Sequence, residues 1–303
     1  SISVDGSGNV YITGSYNNNS MTIYNSDGST FGTLTNNNDI DIFIVKYNTN
    51  GFAQWATKCS SNSIDYGYSI SVDGSGNVYV TGYYSSSSFI IYNSDGSTFG
   101  TLTNITGPND VFIVKYNTSG FAQWATKCDG MGGDIGYSIS VDGSGNAYVT
   151  GYYSSTSMTI YNSDGSTFGT LTNTTGTNDV FVIKYNTSGF AQWATICSSG
   201  DNDYGYSISV DGSGNVYITG SYIAYPASPF IIYNSDGSTF RTLTNTTGLN
   251  DVFVIKYNTN GFAQWATKCA GNGSNIGYSI SVDSLRKNVY VTGSYNQDLT
   301  FYN

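Results

Sequence analysis

Eleven residues, VDGSGNVYVTG at 72–82, recur in near-copies that begin at Val4, Val141, Val210 and Val282. Five aspartates mark the register: Asp5, Asp73, Asp142, Asp211 and Asp283, spaced by 68, 69, 69 and 72 residues. The longer last interval takes its extra residues around IAYPASP at 223–229. A fixed period of this length dictates fold class before any local propensity does, because each unit must bury its apolar face against the next. The 303 residues therefore read as one domain of units at about 1–68, 69–137, 138–206, 207–278 and a partial 279–303.

Within a unit, four short strands are expected. YSISVD (68–73) alternates at period two and leads through GSG into NVYVTGYY (77–84). DVFIVKYN (110–117) leads through TSG into FAQWATKC (121–128). Val-, Ile-, Tyr- and Phe-rich runs broken by Gly-containing turns predict an antiparallel meander. The segment FIIYNSDGSTFGTLT (89–103) predicts an extra hairpin turning at SDGS. A four-stranded meander repeated in series is the β-propeller blade. Stacked blades cover both sheet faces, which explains the unbroken apolar run Val78-Tyr79-Val80. An open β-solenoid is the rival, but its coils are usually shorter, roughly 20–30 residues.

The segments DYGYSISVDGSGNVYVTG (65–82) and NDVFIVKYNTSGFAQWATK (109–127) closely resemble SBBP-type β-propeller repeats, and the resemblance runs along essentially the whole chain. The departures are the long Tyr-Asn hairpin and DSLRKN (283–288). The resemblance implies an all-β propeller of four full blades plus a half repeat, five blade positions in all. It also implies a secreted or cell-surface setting. It implies no shared reaction, because the family is defined by architecture. The first residues, SISVDG, lack an initiator Met, which reads as removal of an N-terminal segment or as a fragment. Three closures stay open for the half-units at the two ends. Upstream residues complete the last blade, another subunit pairs with it, or four blades close alone.

Charge narrows the partners. The chain has no His and no Glu, so its twenty acids are all Asp, and the net charge is −10. An acidic, Lys-poor surface repels phosphate backbones and anionic lipid, which excludes nucleic acid as an expected partner. No apolar run approaches the roughly 18 residues of a membrane span, so no membrane insertion is expected. Three prolines and 28 tyrosines suit strands joined by tight turns.

The repeated DGSGN lacks the terminal acid of a calcium loop, so it reads as a turn. Asp73 caps backbone N–H groups, Gly74 and Gly76 supply positive φ, and Asn77 enters the next strand. Asp27, Asp95, Asp164 and Asp236 in NSDGST read the same way. Lys46, Lys115, Lys184 and Lys256 follow Asp41, Asp110, Asp179 and Asp251 by five residues and predict repeated ion pairs with an Asp on a neighbouring strand or blade. Cys59, Cys128, Cys197 and Cys269 sit too far apart in adjacent blades for disulfides. With no CxxC and no His, they make no zinc site. They predict buried thiols beside Trp55, Trp124, Trp193 and Trp265.

Candidate ligand residues lie outside this framework. Six positions beyond each Cys stand Asp65, Asp134, Asp203 and Asn275, a polar ring if the fourth-to-first loops approach the axis. Loop capping onto the next blade is the alternative. Tyr222, Tyr225 and Phe230 are candidate exposed aromatics for sugars or partner proteins, with a hairpin core as the other fate. Sequons for glycosylation stand at Asn18, Asn104, Asn117, Asn173, Asn186, Asn245 and Asn272.

The expected function is non-enzymatic, with no cofactor and no metal, since acid–base work would fall to repeated framework residues. It is an extracellular binding or adhesion module. Its protein or glycan ligand is expected on the face carrying the long insertion and the fourth-to-first loops, where repeats differ most. The alternative is a structural subunit of a filament or surface layer that self-associates through its terminal half-blades. A glycan-binding lectin is a further variant.

Overall fold

The computed structural model describes residues 1–36, 39–103, 107–172, 177–244, 249–283 and 288–302. The first unit runs β1 (Ile2–Val4), β2 (Val10–Tyr16), β3 (Ser20–Tyr24), β4 (Thr30–Thr35), β5 (Asp41–Tyr47) and β6 (Ala53–Ser60). The second runs β7 (Asp65–Val72), β8 (Val78–Tyr84), β9 (Phe89–Tyr92), β10 (Thr98–Leu102), β11 (Asp110–Tyr116) and β12 (Ala122–Gly130). The third repeats it as β13 (Asp134–Val141), β14 (Ala147–Tyr153), β15 (Ser157–Tyr161), β16 (Thr167–Thr172), β17 (Asp179–Tyr185) and β18 (Ala191–Ser198). The fourth is β19 (Tyr204–Val210), β20 (Val216–Tyr222), β21 (Phe230–Tyr233), β22 (Thr239–Leu243), β23 (Asp251–Tyr257) and β24 (Ala263–Ala270). The partial unit holds β25 (Asn275–Val282), β26 (Val289–Tyr295) and β27 (Thr300–Phe301). The described residues hold no helix, hence none long and apolar enough to cross a membrane.

The expected meander is present. In the second unit β7, β8, β11 and β12 pair antiparallel in that order. Val78, Tyr79 and Val80 are all fully buried, as a strand covered on both faces should be. The five opening strands β1, β7, β13, β19 and β25 pack against one another in series. Ser side chains bridge them: Ser69 Oγ accepts from Ile139 N (3.1 Å) and Ser138 Oγ from Ile208 N (3.2 Å). No described sheet closes on itself.

The inserted hairpin goes somewhere the local sequence does not indicate. β9–β10 does not extend its own unit's sheet; β9 pairs with β6 of the preceding unit, Cys59 opposite Ile91. β15 pairs likewise with β12, and β21 with β18. The fourth strand otherwise ends the sheet as an open edge, and the next unit's hairpin covers that edge. Each six-stranded sheet is therefore shared between two units, which ties neighbours by backbone hydrogen bonds as well as by packing.

Indole rings add a second tie. Trp55, Trp124 and Trp193 each donate from Nε1 to a turn carbonyl of the following unit, at Thr118, Thr187 and Thr259 respectively, all at 2.9 Å. The thiols are free, as expected, and Cys59, Cys128 and Cys197 are buried. Each lies 3.2–3.3 Å from a Tyr hydroxyl of the next unit, at Tyr116, Tyr185 and Tyr257. Burial pushes these three thiols up to about 12, so they are unreactive at neutral pH. Cys269, only half-buried, should label first with a thiol reagent under native conditions. Mass mapping of the labelled site checks this, and prior labelling of Cys128 would contradict it.

Candidate binding surface

The turn residues behave as read. Asp73 Oδ1 accepts the N–H groups of Ser75 and Asn77, both at 2.9 Å, while Oδ2 accepts from Asn77 Nδ2 at 2.8 Å. One detail differs. Gly76 has φ +81°, but Gly74 is absent from the positive-φ glycines, so only the second glycine supplies the left-handed residue. Asp27, Asp95, Asp164 and Asp236 cap their own exposed tips through Ser29, Ser97, Ser166 and Ser238.

Among the described residues, Lys46, Lys115, Lys184 and Lys256 form none of the expected ion pairs with an Asp of a neighbouring strand or blade. Lys46, Lys115 and Lys184 donate to carbonyls of Thr118, Thr187 and Thr259 in the next unit, at 3.1–3.4 Å. With Lys256 they lie 5.2–5.3 Å over Tyr rings. Both faces of these strands are covered, so a lysine at the strand end bonds the neighbour's turn and feels a carboxylate only at longer range, Asp73 at Lys115 and Asp142 at Lys184. Asp41 is instead 3.9 Å from Lys58.

Asp65, Asp134, Asp203 and Asn275 form no exposed ring; all four are fully buried. Their backbone N–H groups bond the carbonyls of Ile40, Asn109, Asn178 and Asn250 in the preceding unit. That bond carries the residue that begins β7, β13 and β25, and the one just before β19, into the junction between units. Loop groups then cap the side chains: Ser85 N and Ser154 N donate to Asp65 and Asp134, and Ser199 Oγ donates to Asp203 at 3.0 Å. Tyr222 and Phe230 are also buried, stacked at 4.8 Å under the fourth hairpin. Tyr225 alone of the three is exposed, at 45%. Asn18 and Asn272 are exposed and Asn117 and Asn186 half-buried; Asn104, Asn173 and Asn245 lie outside the described residues.

A surface that sequence reasoning missed lies beside them. Four of the five opening strands, β7, β13, β19 and β25, carry a β-bulge at one place: Gly67/Ser69, Gly136/Ser138, Gly205/Ser207 and Gly277/Ser279. The residue inside each bulge is a tyrosine, Tyr68, Tyr137, Tyr206 or Tyr278. A bulge re-aims its side chain out of the pleat, and these four rings meet across units at 5.4, 5.3 and 5.9 Å. Tyr66 stacks on Tyr68 at 5.8 Å and Tyr204 on Tyr206 at 5.7 Å. Tyr83 and Tyr152, on the second strands, close the gaps at 5.5 Å from Tyr66 and 5.6 Å from Tyr137.

Eight phenols thus form one continuous strip along four units. Tyr68 is 37% and Tyr278 53% exposed, and the other six are half-buried. The strip sits where the opening strands begin and the second strands end, beside the long connections. Burial and neighbouring phenols push Tyr83 up to about 12 and raise Tyr68, Tyr152 and Tyr206 as well. These rings stay neutral at physiological pH. No described cation serves the strip, since the described lysines lie over other tyrosines and Arg241 binds the Ala266 carbonyl. A sequence signal existed in the recurring Gly-Tyr-Ser of each opening strand, because glycine inside a strand marks a bulge.

Elsewhere, a groove of about 690 Å³ opens between neighbouring outer hairpins, with Phe168, Trp193 and Tyr233 in its lining.

Residues 54–89 and 192–221 match the SBBP β-propeller repeat. The chain is also 31% identical over 344 aligned positions, and along its whole length, to "Uncharacterized WD repeat-containing protein L264" of Acanthamoeba polyphaga mimivirus. It spans 24% of that relative's length. β-Propeller and WD-repeat architectures are scaffold-type folds suited to protein interaction.

Proposed function

Because this is a chain of SBBP-type β-propeller repeats, we propose that it is a non-catalytic protein-binding module that docks an extended, basic segment along the tyrosine strip. The observation that carries this reading is the unbroken row of rings across four units, with Tyr68 and Tyr278 exposed and no cation among the described residues serving it. Net charge complements it, since a chain at −10 attracts lysine- and arginine-rich partners. The fold already uses the same chemistry internally, with seven lysine ammoniums poised over tyrosine rings at 4.8–5.3 Å. The extracellular, adhesive setting implied by the repeat resemblance belongs to this proposal too.

The test uses the double variant Tyr68→Ser/Tyr206→Ser and an arginine-rich peptide, with neutral oligosaccharides as comparison ligands. Each exposed cation–π contact contributes about 0.5–1 kcal/mol, so losing two should weaken peptide binding about 5- to 30-fold. An unchanged melting temperature would show that the fold is intact. Saturable oligosaccharide binding without peptide binding would replace this reading with a lectin.

One observation favours a second reading, an assembly subunit joined through its end units. The hairpin β3–β4 forms a sheet by itself, whereas every other complete hairpin pairs with a preceding fourth strand. At the other end Tyr290, Val291 and Tyr295 are exposed. Light scattering across a concentration series decides; a mass that stays monomeric removes it.

A further inference from the structure

Four junctions between units repeat one arrangement. The acid that opens the third strand meets the residue that opens the next unit: Asp41 with Asp65, Asp110 with Asp134, Asp179 with Asp203, and Asp251 with Asn275. All eight side chains are buried. The fourth junction holds one amide–carboxylate bond, with Asp251 Oδ2 and Asn275 Oδ1 left without partners. Asn275 Nδ2 donates to Asp251 Oδ1 at 3.1 Å, and the Lys268 ammonium stabilises the same carboxylate.

The other three junctions place a carboxyl where the amide stands. Both oxygens of Asp110 and of Asp179, with one each of Asp41 and Asp65, are buried without a hydrogen-bond partner. Two facing carboxylates hold no donor, whereas a protonated carboxyl donates as an amide does. Compensating charge also declines along the chain. Lys58 reaches Asp41, but Lys127 is engaged by a third acid, Asp129. At the third junction the corresponding residue is Ile196.

We propose that each of the first three junctions is a proton-operated clasp, in which one carboxyl of the pair carries the hydrogen that the Asn275 amide supplies in the fourth. Loss of that proton leaves two buried like charges between neighbouring units and loosens the joint.

Other titratable groups surround each pair, and one of them, the Tyr84 hydroxyl, stands within hydrogen-bonding reach of Asp110. Around Asp41 and Asp65 stand Lys58, Asp39, Cys59, Tyr16 and, across the strand, Tyr83. Around Asp110 and Asp134 stand Lys127, Asp129, Cys128, Tyr84, Tyr161, Tyr152 and Tyr153. Around Asp179 and Asp203 stand Cys197, Tyr153 and Tyr222, with no cation among the described residues. The phenols of Tyr153 and Tyr222 are themselves buried without partners. Burial pushes Asp65, Asp134 and Asp179 up to about 7, Asp110 to about 8 and Asp41 to about 6, and raises Asp203 well above the carboxylate range. A folded-state value above the unfolded one means stability that is complete only below the ordinary carboxylate range, about 4, and is lost as pH rises from there through the folded values at about 6 to 8.

The experiment follows melting temperature from pH 5.5 to 8.5 for the full chain and for Asp65→Asn/Asp134→Asn/Asp203→Asn. The wild type should melt higher at pH 5.5 by about 5 °C or more. The triple variant should lose much of that slope, keeping the part that burial alone gives Asp179 and Asp251. A flat wild-type profile overturns the proposal, and so does a variant that keeps the whole slope. If the triple variant does not fold, Asn275→Asp serves, since it should add a new pH slope by creating a fourth acid pair. Absence of that added slope also overturns it. Calcium chloride is added at pH 8.5 as a control. Recovery of the acid melting temperature by calcium, abolished by EDTA, would make the junction a cation site and overturn the proton assignment.

Discussion

Gly151→Ala is expected to destabilise the fold by about 3 kcal/mol or more, at the severe end for one added methyl group. Gly151 lies in β14, opposite Gly136 at the bulge of β13. A Cβ there would lie 1.8 Å from the Ile135 carbonyl oxygen and 3.1 Å from Gly136 Cα. Both neighbours are backbone, so no rotamer change relieves the clash; the strands must part or the bulge must slip. Either movement displaces Tyr137, the second ring of the strip. Peptide binding should therefore fall even where the variant remains folded. Gly82 and Gly220 face the carbonyls of Tyr66 and Tyr204 at the same 1.8 Å, so the constraint belongs to the repeat. Gly100→Ala is the control, because its added methyl meets nothing within 4 Å and its φ is not positive. Urea unfolding of both variants checks the contrast. Equal stabilities would show that the bulge tolerates a side chain.

A repeat period reveals what is local to each unit and conceals what passes between units. The four strands were legible because their cause is local: Val78-Tyr79-Val80 is apolar on both faces only in a covered strand. The hairpin at 89–102 was legible as a hairpin, but its partner was not. An edge strand's choice between its own sheet and its neighbour's depends on which edge lies open, and period-two patterning carries no record of that. The buried acids were misplaced because DNDY and SIDY read as solvated loop. One backbone bond, such as Asp65 N to Ile40 O at 2.8 Å, is enough to draw them into the junction. The tyrosines were hidden by parity. Counting back by twos from buried Ile70 puts Tyr68 on the buried face, and the bulge between Gly67 and Ser69 reverses it.

Trp124→Ala should cost about 3–5 kcal/mol, whereas Trp265→Ala in the same 303-residue chain should cost well under half of that. Trp124 is buried between Tyr79 at 6.1 Å and Tyr185 at 6.4 Å. Its indole also supports the next unit's turn, since a Cβ on Gly189 would approach the ring to 2.7 Å. Trp265 keeps its own-unit neighbour, Tyr217 at 6.2 Å, but is 36% exposed. The pair therefore isolates the contribution of contact between units from that of packing within one. In a repeat array stability is nearly a sum of unit and interface contributions, so weakening an interior interface should do more than lower the midpoint. Denaturant unfolding of Trp124→Ala should broaden or split into two steps, with the units before and after the third opening strand unfolding separately. Trp124→Phe retains most of the buried area but loses the 2.9 Å bond to Thr187 O. It should cost about 1–2 kcal/mol and keep a single transition. If Trp124→Ala and Trp265→Ala cost the same, the indole stabilises only its own sheet. The shared outer hairpins would then be what couples one unit to the next.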